Sequence, residues 1–200
     1  MSGRRHWRPG AWAATAATIT GLVFPSLAGT RAEPEVRESI ETYDVHGSTA
    51  AQVRRDLARH GPRVGGRAYG ARTTWELTWT YSLEERDAEC GLASCDVRVD
   101  ITTTLPRWVP DDPAPDDKLV ARWERYLSAL ATHEEGHRRF GLEAASAVER
   151  SLTSIVPEPT CADLEAAIAA AAAEVVGQYR ERERRYDEET KHGRADGARF

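Results

Sequence analysis

The stretch His133-Glu134-Glu135-Gly136-His137 holds residue types that can do chemistry at a spacing that lets them act together. Residues four apart on a helix share one face, so the two imidazoles can meet a single ion. Zinc takes neutral imidazole nitrogens at about 2.0–2.1 Å. Glu134 is turned about 100° around the helix from His133. From there its carboxylate reaches a water on the metal without becoming a ligand. Three protein ligands plus that water is the catalytic zinc arrangement. The metal polarises a carbonyl and lowers the pKa of water towards about 7. Glu134 then acts as general base and passes the proton to the leaving amine. Chance alone puts H-E-x-x-H in about two of a hundred chains of this composition, so context has to decide. Two histidines on a core face cost desolvation unless something pairs them, and one metal pairs both. Glu135 reads as a solvated neighbour. Gly136 weakens the helix by about 1 kcal/mol relative to Ala, which close packing or substrate access would explain.

The third protein ligand must come from elsewhere. His192 is the first choice, Asp187 the second and His46 the third. His46 beside Gly47 has a local explanation as a turn residue, and His60 before Gly61 as a helix-end cap. His192 instead follows Tyr186, Asp187 and Thr190, groups that can hydrogen-bond and orient an imidazole. Gly193 lets the backbone turn there. Tyr186 is either an oxyanion donor or an ordinary packing residue. Glu143 and Glu149 lie off the histidine face or more than two turns away and read as surface charges.

These residues need elements to position them. Thr42–His46 is a short strand candidate, and Ser48 can cap a helix running to about Arg59. Trp75, Leu77, Trp79, Tyr81 and Leu83 fall at every second position and predict a strand. Val97, Val99 and Ile101 repeat the pattern, so two strands should pair antiparallel across residues 84–93. The stretch 96–105 would suit peptide binding by strand addition if it formed an edge. From about Asp117 to Ile155, Leu119, Trp123, Tyr126, Leu127 and Leu130 keep helical spacing, and His133 and His137 continue the same stripe. A second helix runs from Ala162 to about Arg185, followed by a tail without a clear period. The expected class is α+β: a small antiparallel sheet packed against the long motif helix and a second C-terminal helix.

Residues 1–32 hold Arg4, Arg5, Arg8 and Arg31 without an acid, an apolar run, and a small-x-small site at Thr30-Arg31-Ala32. That order predicts a secretory signal peptide, followed by one domain over residues 33–200. Losing the four arginines moves the formal charge from −5 to −9, which argues against a nucleic-acid partner. No later run is long and apolar enough to span a membrane. The expected location is secreted or periplasmic, with Zn2+ as cofactor. The expected partner is a peptide or protein substrate, the cell envelope being one source. The competing reading is a non-catalytic exported protein with a structural zinc.

Several pieces carry a resemblance: Tyr43-Asp44-Val45-His46-Gly47-Ser48, His60-Gly61-Pro62, the tryptophan-rich strand and Thr104-Leu105-Pro106. They continue with Trp123 ahead of the histidine motif, then Cys161, then Tyr186-Asp187-Glu188-Glu189-Thr190-Lys191-His192-Gly193. The chain resembles a bacterial family of predicted secreted zinc-dependent proteases, catalogued as a domain of unknown function. The resemblance implies a zincin-like fold and implies zinc more firmly than proteolysis. Cys90 departs from that pattern. Export favours one disulfide and one odd thiol. Cys95–Cys161 is the expected pair, tying the second strand to the last helix, with Cys90–Cys161 the alternative.

Overall fold

The computed structural model describes residues 33–200 and, before them, only the backbone of β1 (Ser2–His6) and β2 (Thr15–Ala17). The signal peptide expected over residues 1–32 otherwise lies outside the described residues. Then come β3 (Glu35–His46), α1 (Ala50–His60), a short hairpin of β4 (Arg63–Val64) and β5 (Arg67–Ala68), β6 (Arg72–Arg86) and β7 (Glu89–Val109). α2 (Asp117–Thr153) and α3 (Cys161–Thr190) follow, and a turn of 3-10 helix covers Arg194–Asp196. The class is α+β, as expected.

The main sheet has the order β2-β1-β6-β7-β3. β6 and β7 form the expected antiparallel hairpin: Thr73 meets Thr103 and Ser82 meets Ser94. Their turn is tight, with Asp87 and Ala88 both at positive φ, the conformation that matches strand twist in a two-residue turn. β3 differs from expectation. Ser39 bonds Thr102 and Asp44 bonds Arg107, a constant offset that makes β3 parallel to β7. The sheet is therefore mixed, not antiparallel. β7 is also an inner strand, so residues 96–105 offer no edge for strand addition. β3 begins seven residues before the expected strand because β7 supplies hydrogen-bond partners that no periodicity reveals.

The chain divides into two compact units. One comprises Met1–Arg37, Glu76–Asp100 and Gly141–Arg180. Its buried side chains follow the two periods: Leu77, Trp79, Tyr81 and Leu83 at every second position of β6, and Leu164, Ile168, Ala172 and Val176 at every fourth of α3. Glu149, expected at the surface, is buried here. The disulfide joins Cys90, not Cys95, to Cys161. The backbone explains the choice: Cys90 and Glu158 exchange both N–H···O bonds, at 2.7 and 2.9 Å, which brings the start of β7 beside the start of α3. Cys95 stays a thiol, its pKa pushed up to about 11 by burial and by the Asp96 and Glu149 charges.

The other unit comprises Glu38–Trp75, Ile101–Phe140 and Glu181–Phe200. Its core joins Val45, Val53, Leu57, Trp123, Tyr126 and Leu130; burying each of the larger apolar side chains contributes about 1.5–3 kcal/mol. Thr49, not Ser48, caps α1: its hydroxyl accepts from Gln52 N–H, and the Gln52 amide reaches back to Ser48 N–H. The pair resembles a capping box, with the N–H just before the cap in place of the cap's own. α3 runs five residues beyond its expected end, and Arg184 pairs with both Glu181 and Glu188 along its exposed side. The tail is ordered by its last residues. Ala198 is buried, and the Phe200 ring lies 5.8 Å from Trp123 and 5.4 Å from Tyr126.

Candidate metal centre

Every residue of the centre belongs to the second unit. α2 presents His133 and His137, and the last turns of α3 run back past them. His137 therefore meets Glu183 and Asp187, while His133, one turn earlier, meets Asp187 and Thr190. His133 Nε2, His137 Nε2 and Asp187 Oδ1 form a nearly equilateral triangle with edges of 3.1, 3.2 and 3.2 Å. Tetrahedral coordination with bonds of about 2.0–2.1 Å requires ligand atoms about 3.3–3.4 Å apart. The donor triangle is slightly tighter than that spacing, and these three residues could hold one ion.

Hydrogen bonding fixes which nitrogens face the triangle. The Glu183 carboxylate can only accept, so His137 Nδ1, 3.3 Å away, carries the proton. Thr190 commits its hydroxyl proton to the Tyr186 carbonyl at 2.7 Å, so towards His133 Nδ1, at 3.4 Å, it accepts. Both Nε2 atoms thus turn lone pairs to one point, beside a carboxylate oxygen. Three such donors repel unless a cation stands among them. Burial alone would lower the His137 pKa, but Asp187 and Glu183 outweigh it and push it up to about 9. Burial likewise raises Asp187, and the His133 and His137 hydrogen bonds overcome it, holding that carboxyl well below its usual range. Without a metal the triangle attracts a proton for the same reason.

Glu134 is 5 % exposed, and its Oε2 has no hydrogen-bond partner among the described residues. Burial raises its pKa, offset in part by Thr73 and by the His137 and His133 charges. A buried polar atom left unpaired costs about 1–3 kcal/mol, so this carboxylate is held at a cost where the charges of the three donor residues act on it.

His192, the expected third ligand, stands outside the triangle. Its Nδ1 lies 3.1 Å from Asp187 Oδ1, so it touches the third donor and leaves that place to Asp187, the second choice. The cause is the longer α3, which carries Asp187 opposite the histidines and ends before His192. His46 is elsewhere, its N–H bonded to Asp56 and its ring near Asp111. Tyr186 donates to the His133 carbonyl at 3.3 Å and stacks on the His133 ring, so it packs and braces rather than facing outward. Gly136 is explained by the same ring: a Cβ there would lie 2.4 Å from Tyr186 Oη. Gly193, at φ +73°, presses on His133 in the same way, its would-be Cβ 3.0 Å from His133 Cβ.

Glu183 and Trp75 were not expected at the centre. The Trp75 indole donates to Glu183 Oε1 at 2.8 Å, and the same oxygen accepts from His137. The available signal was spacing: Glu183 and Asp187 are four apart, as His133 and His137 are.

Residues 40–193 match the family described as "Bacterial protein of unknown function (DUF922)", a span that takes in the whole centre. The chain belongs to this family. No curated protein and no solved structure matches it. The DUF922 description assigns no activity. Among the described residues of this DUF922 chain, no helix is long and apolar enough to cross a membrane.

Proposed function

We propose that the chain is an exported zinc-dependent hydrolase of peptide amide bonds, with His133, His137 and Asp187 as metal ligands and Glu134 as general base. The observation that carries this is the donor triangle with an unpaired, buried carboxylate beside it. Two imidazoles and one carboxylate suit zinc, and three protein donors leave a position for a water or substrate. A structural staple, the competing reading, calls for four protein donors. Zinc, when bound, supplies Lewis acidity that polarises an amide carbonyl and makes a water easier to deprotonate.

The chain's own residues do the rest. Among the described residues Glu134 Oε2 has no hydrogen-bond partner, so it is free to accept a proton from the attacking water and return it to the departing amine. Its raised pKa brings base and acid forms closer to neutral pH. Glu183 and Thr190 hold the imidazoles in the ligating tautomer. The Cys90–Cys161 disulfide supports an oxidising compartment.

The test is Glu134→Gln in the mature protein. The variant should keep about one zinc per chain and the same fold, and lose about 10²–10⁴ in turnover on peptides found with an unbiased library. Equal cleavage by both proteins refutes the base assignment. No peptide cleavage by the wild type refutes the peptidase.

A further inference from the structure

The chain is acidic overall, with a formal charge of −5, yet a cavity of about 400 Å³ beside Asp187 is lined by Arg67, Lys191, Arg194 and Arg199. His192 and Glu188 complete the wall. The two acids there are already engaged: Asp187 with the histidines, and Glu188 with Arg184. Arg67, Lys191 and Arg194 make no ion pair among the described residues. Like charges gathered this way repel one another, and in water they would spread apart unless the backbone fixed them.

The backbone does fix them. Arg67 follows the Gly65-Gly66 turn, where both glycines have positive φ, and its guanidinium lies 5.5 Å from the centroid of the Tyr69 ring. Tyr69 in turn meets the His192 ring edge-on at 4.9 Å. Lys191 and His192 adopt left-handed backbone at φ +52° and +55°, a conformation that is costly for side-chain-bearing residues. Arg199 Nε donates to the Arg194 carbonyl at 2.9 Å, and Phe200 anchors the segment on Trp123 and Tyr126. Cations from two separate segments therefore converge on a cavity that also touches Asp187.

We propose that this cavity binds a carboxylate of the substrate, so that the enzyme selects peptides bearing an Asp or Glu side chain, or a free C-terminus, near the bond cut. The inference rests on the peptidase reading above. Carboxylates are the anionic groups of an unmodified peptide, and guanidinium forks match them in two-point hydrogen bonds. The direction of the field also suits it: an anionic substrate is drawn to a cationic wall of an acidic protein.

Paired peptides test it. The zinc-loaded mature protein is given library peptides with Glu or Gln at each position, each with a free or an amidated C-terminus. We expect kcat/KM higher for one acidic form by roughly 10–100-fold, the worth of one or two charge-assisted hydrogen bonds. The arm that shows the preference identifies the side chain or the terminus as its source. In Arg67→Ala/Arg194→Ala the acidic-to-neutral ratio should fall towards one, with zinc content and Tm retained. Peptides cleaved without acidic preference, or a ratio unchanged in that variant, overturn the inference. If nothing is cleaved, the peptidase reading fails, and binding decides the inference separately. Labelled triglutamate peptide should then bind the zinc-loaded Glu134→Gln protein at least tenfold tighter than triglutamine, and Arg67→Ala/Arg194→Ala should remove the difference. Equal binding of the two peptides overturns the inference, whether or not inorganic phosphate binds.

Discussion

The two halves of α3 use one spacing for two purposes. In the first unit Leu164, Ile168, Ala172 and Val176 recur every four residues, all fully buried and all apolar. In the second unit Glu183 and Asp187 are again four apart, with Thr190 three further on, and they meet His137 and His133 instead of a core. α2 shows the same contrast, with His133 and His137 in one unit and Ala144, Val148 and Leu152 in the other. Burial comes from helical geometry in both places. What differs is whether the buried atoms satisfy one another by dispersion or by sharing a charge. A polar pair at apolar spacing is thus a stronger sign of a site than either residue alone.

The sharpest way to break the comparison is to mutate one position in each half. His133→Ala or His137→Ala should abolish stoichiometric zinc binding, because two donors no longer close the triangle. Leu152→Ala should keep zinc while costing about 2–5 kcal/mol of stability through lost burial and a cavity. Elemental analysis and denaturant melts separate the two outcomes. Full zinc content in His133→Ala/His137→Ala would sink the metal centre.

A smaller effect is expected one layer out. Glu183→Gln preserves size and an acceptor oxygen for Trp75 and His137 but removes the charge. Zinc affinity should fall about 10–100-fold, as for other residues that orient a ligand imidazole. A competition titration with a chelator reads this directly, and unchanged affinity would make Glu183 a packing residue only.

How far the sequence alone reaches follows from the same contrast. His133, Glu134 and His137 were legible because one helix carries all three and its geometry is fixed by the chain itself. The β6–β7 hairpin was legible because Trp75, Leu77, Trp79, Tyr81 and Leu83 alternate through the middle of β6. Asp187 over His192 was not, since the choice depends on where α3 ends. It ends in a charged stretch with no apolar period, where Arg184 bridges Glu181 and Glu188. The Cys90 pairing and the parallel β3 depend on which strands become neighbours, a non-local fact. Glu183 was hidden for a related reason: its charge resembles that of the solvated residues around it.

The smallest expected effect is a pH dependence that should reverse when metal is added. In metal-free protein, His137 has a folded-state pKa of about 9 against an ordinary 6.5, since Asp187 and Glu183 outweigh burial. A raised pKa means that folding favours the protonated form. Its contribution is therefore complete below about pH 6.5 and disappears as pH rises through about 9. Asp187 works in the opposite sense. Its depressed pKa contributes above its ordinary value of 3.8 and is lost as pH falls below it. The metal-free protein should thus be most stable between about pH 4 and 6.5, with Tm declining towards pH 9 by a few degrees. Zinc needs His137 without its Nε2 proton, so the stabilisation gained on adding zinc should grow as pH rises over the same interval. Thermal melts with and without chelator, from pH 5 to 9, give both curves. His137→Gln should flatten the metal-free curve above pH 6.5 and remove the response to zinc. If the two wild-type curves run parallel instead, His137 does not exchange a proton for a metal, and the shared charge at this end of α3 is not what distinguishes it from the other.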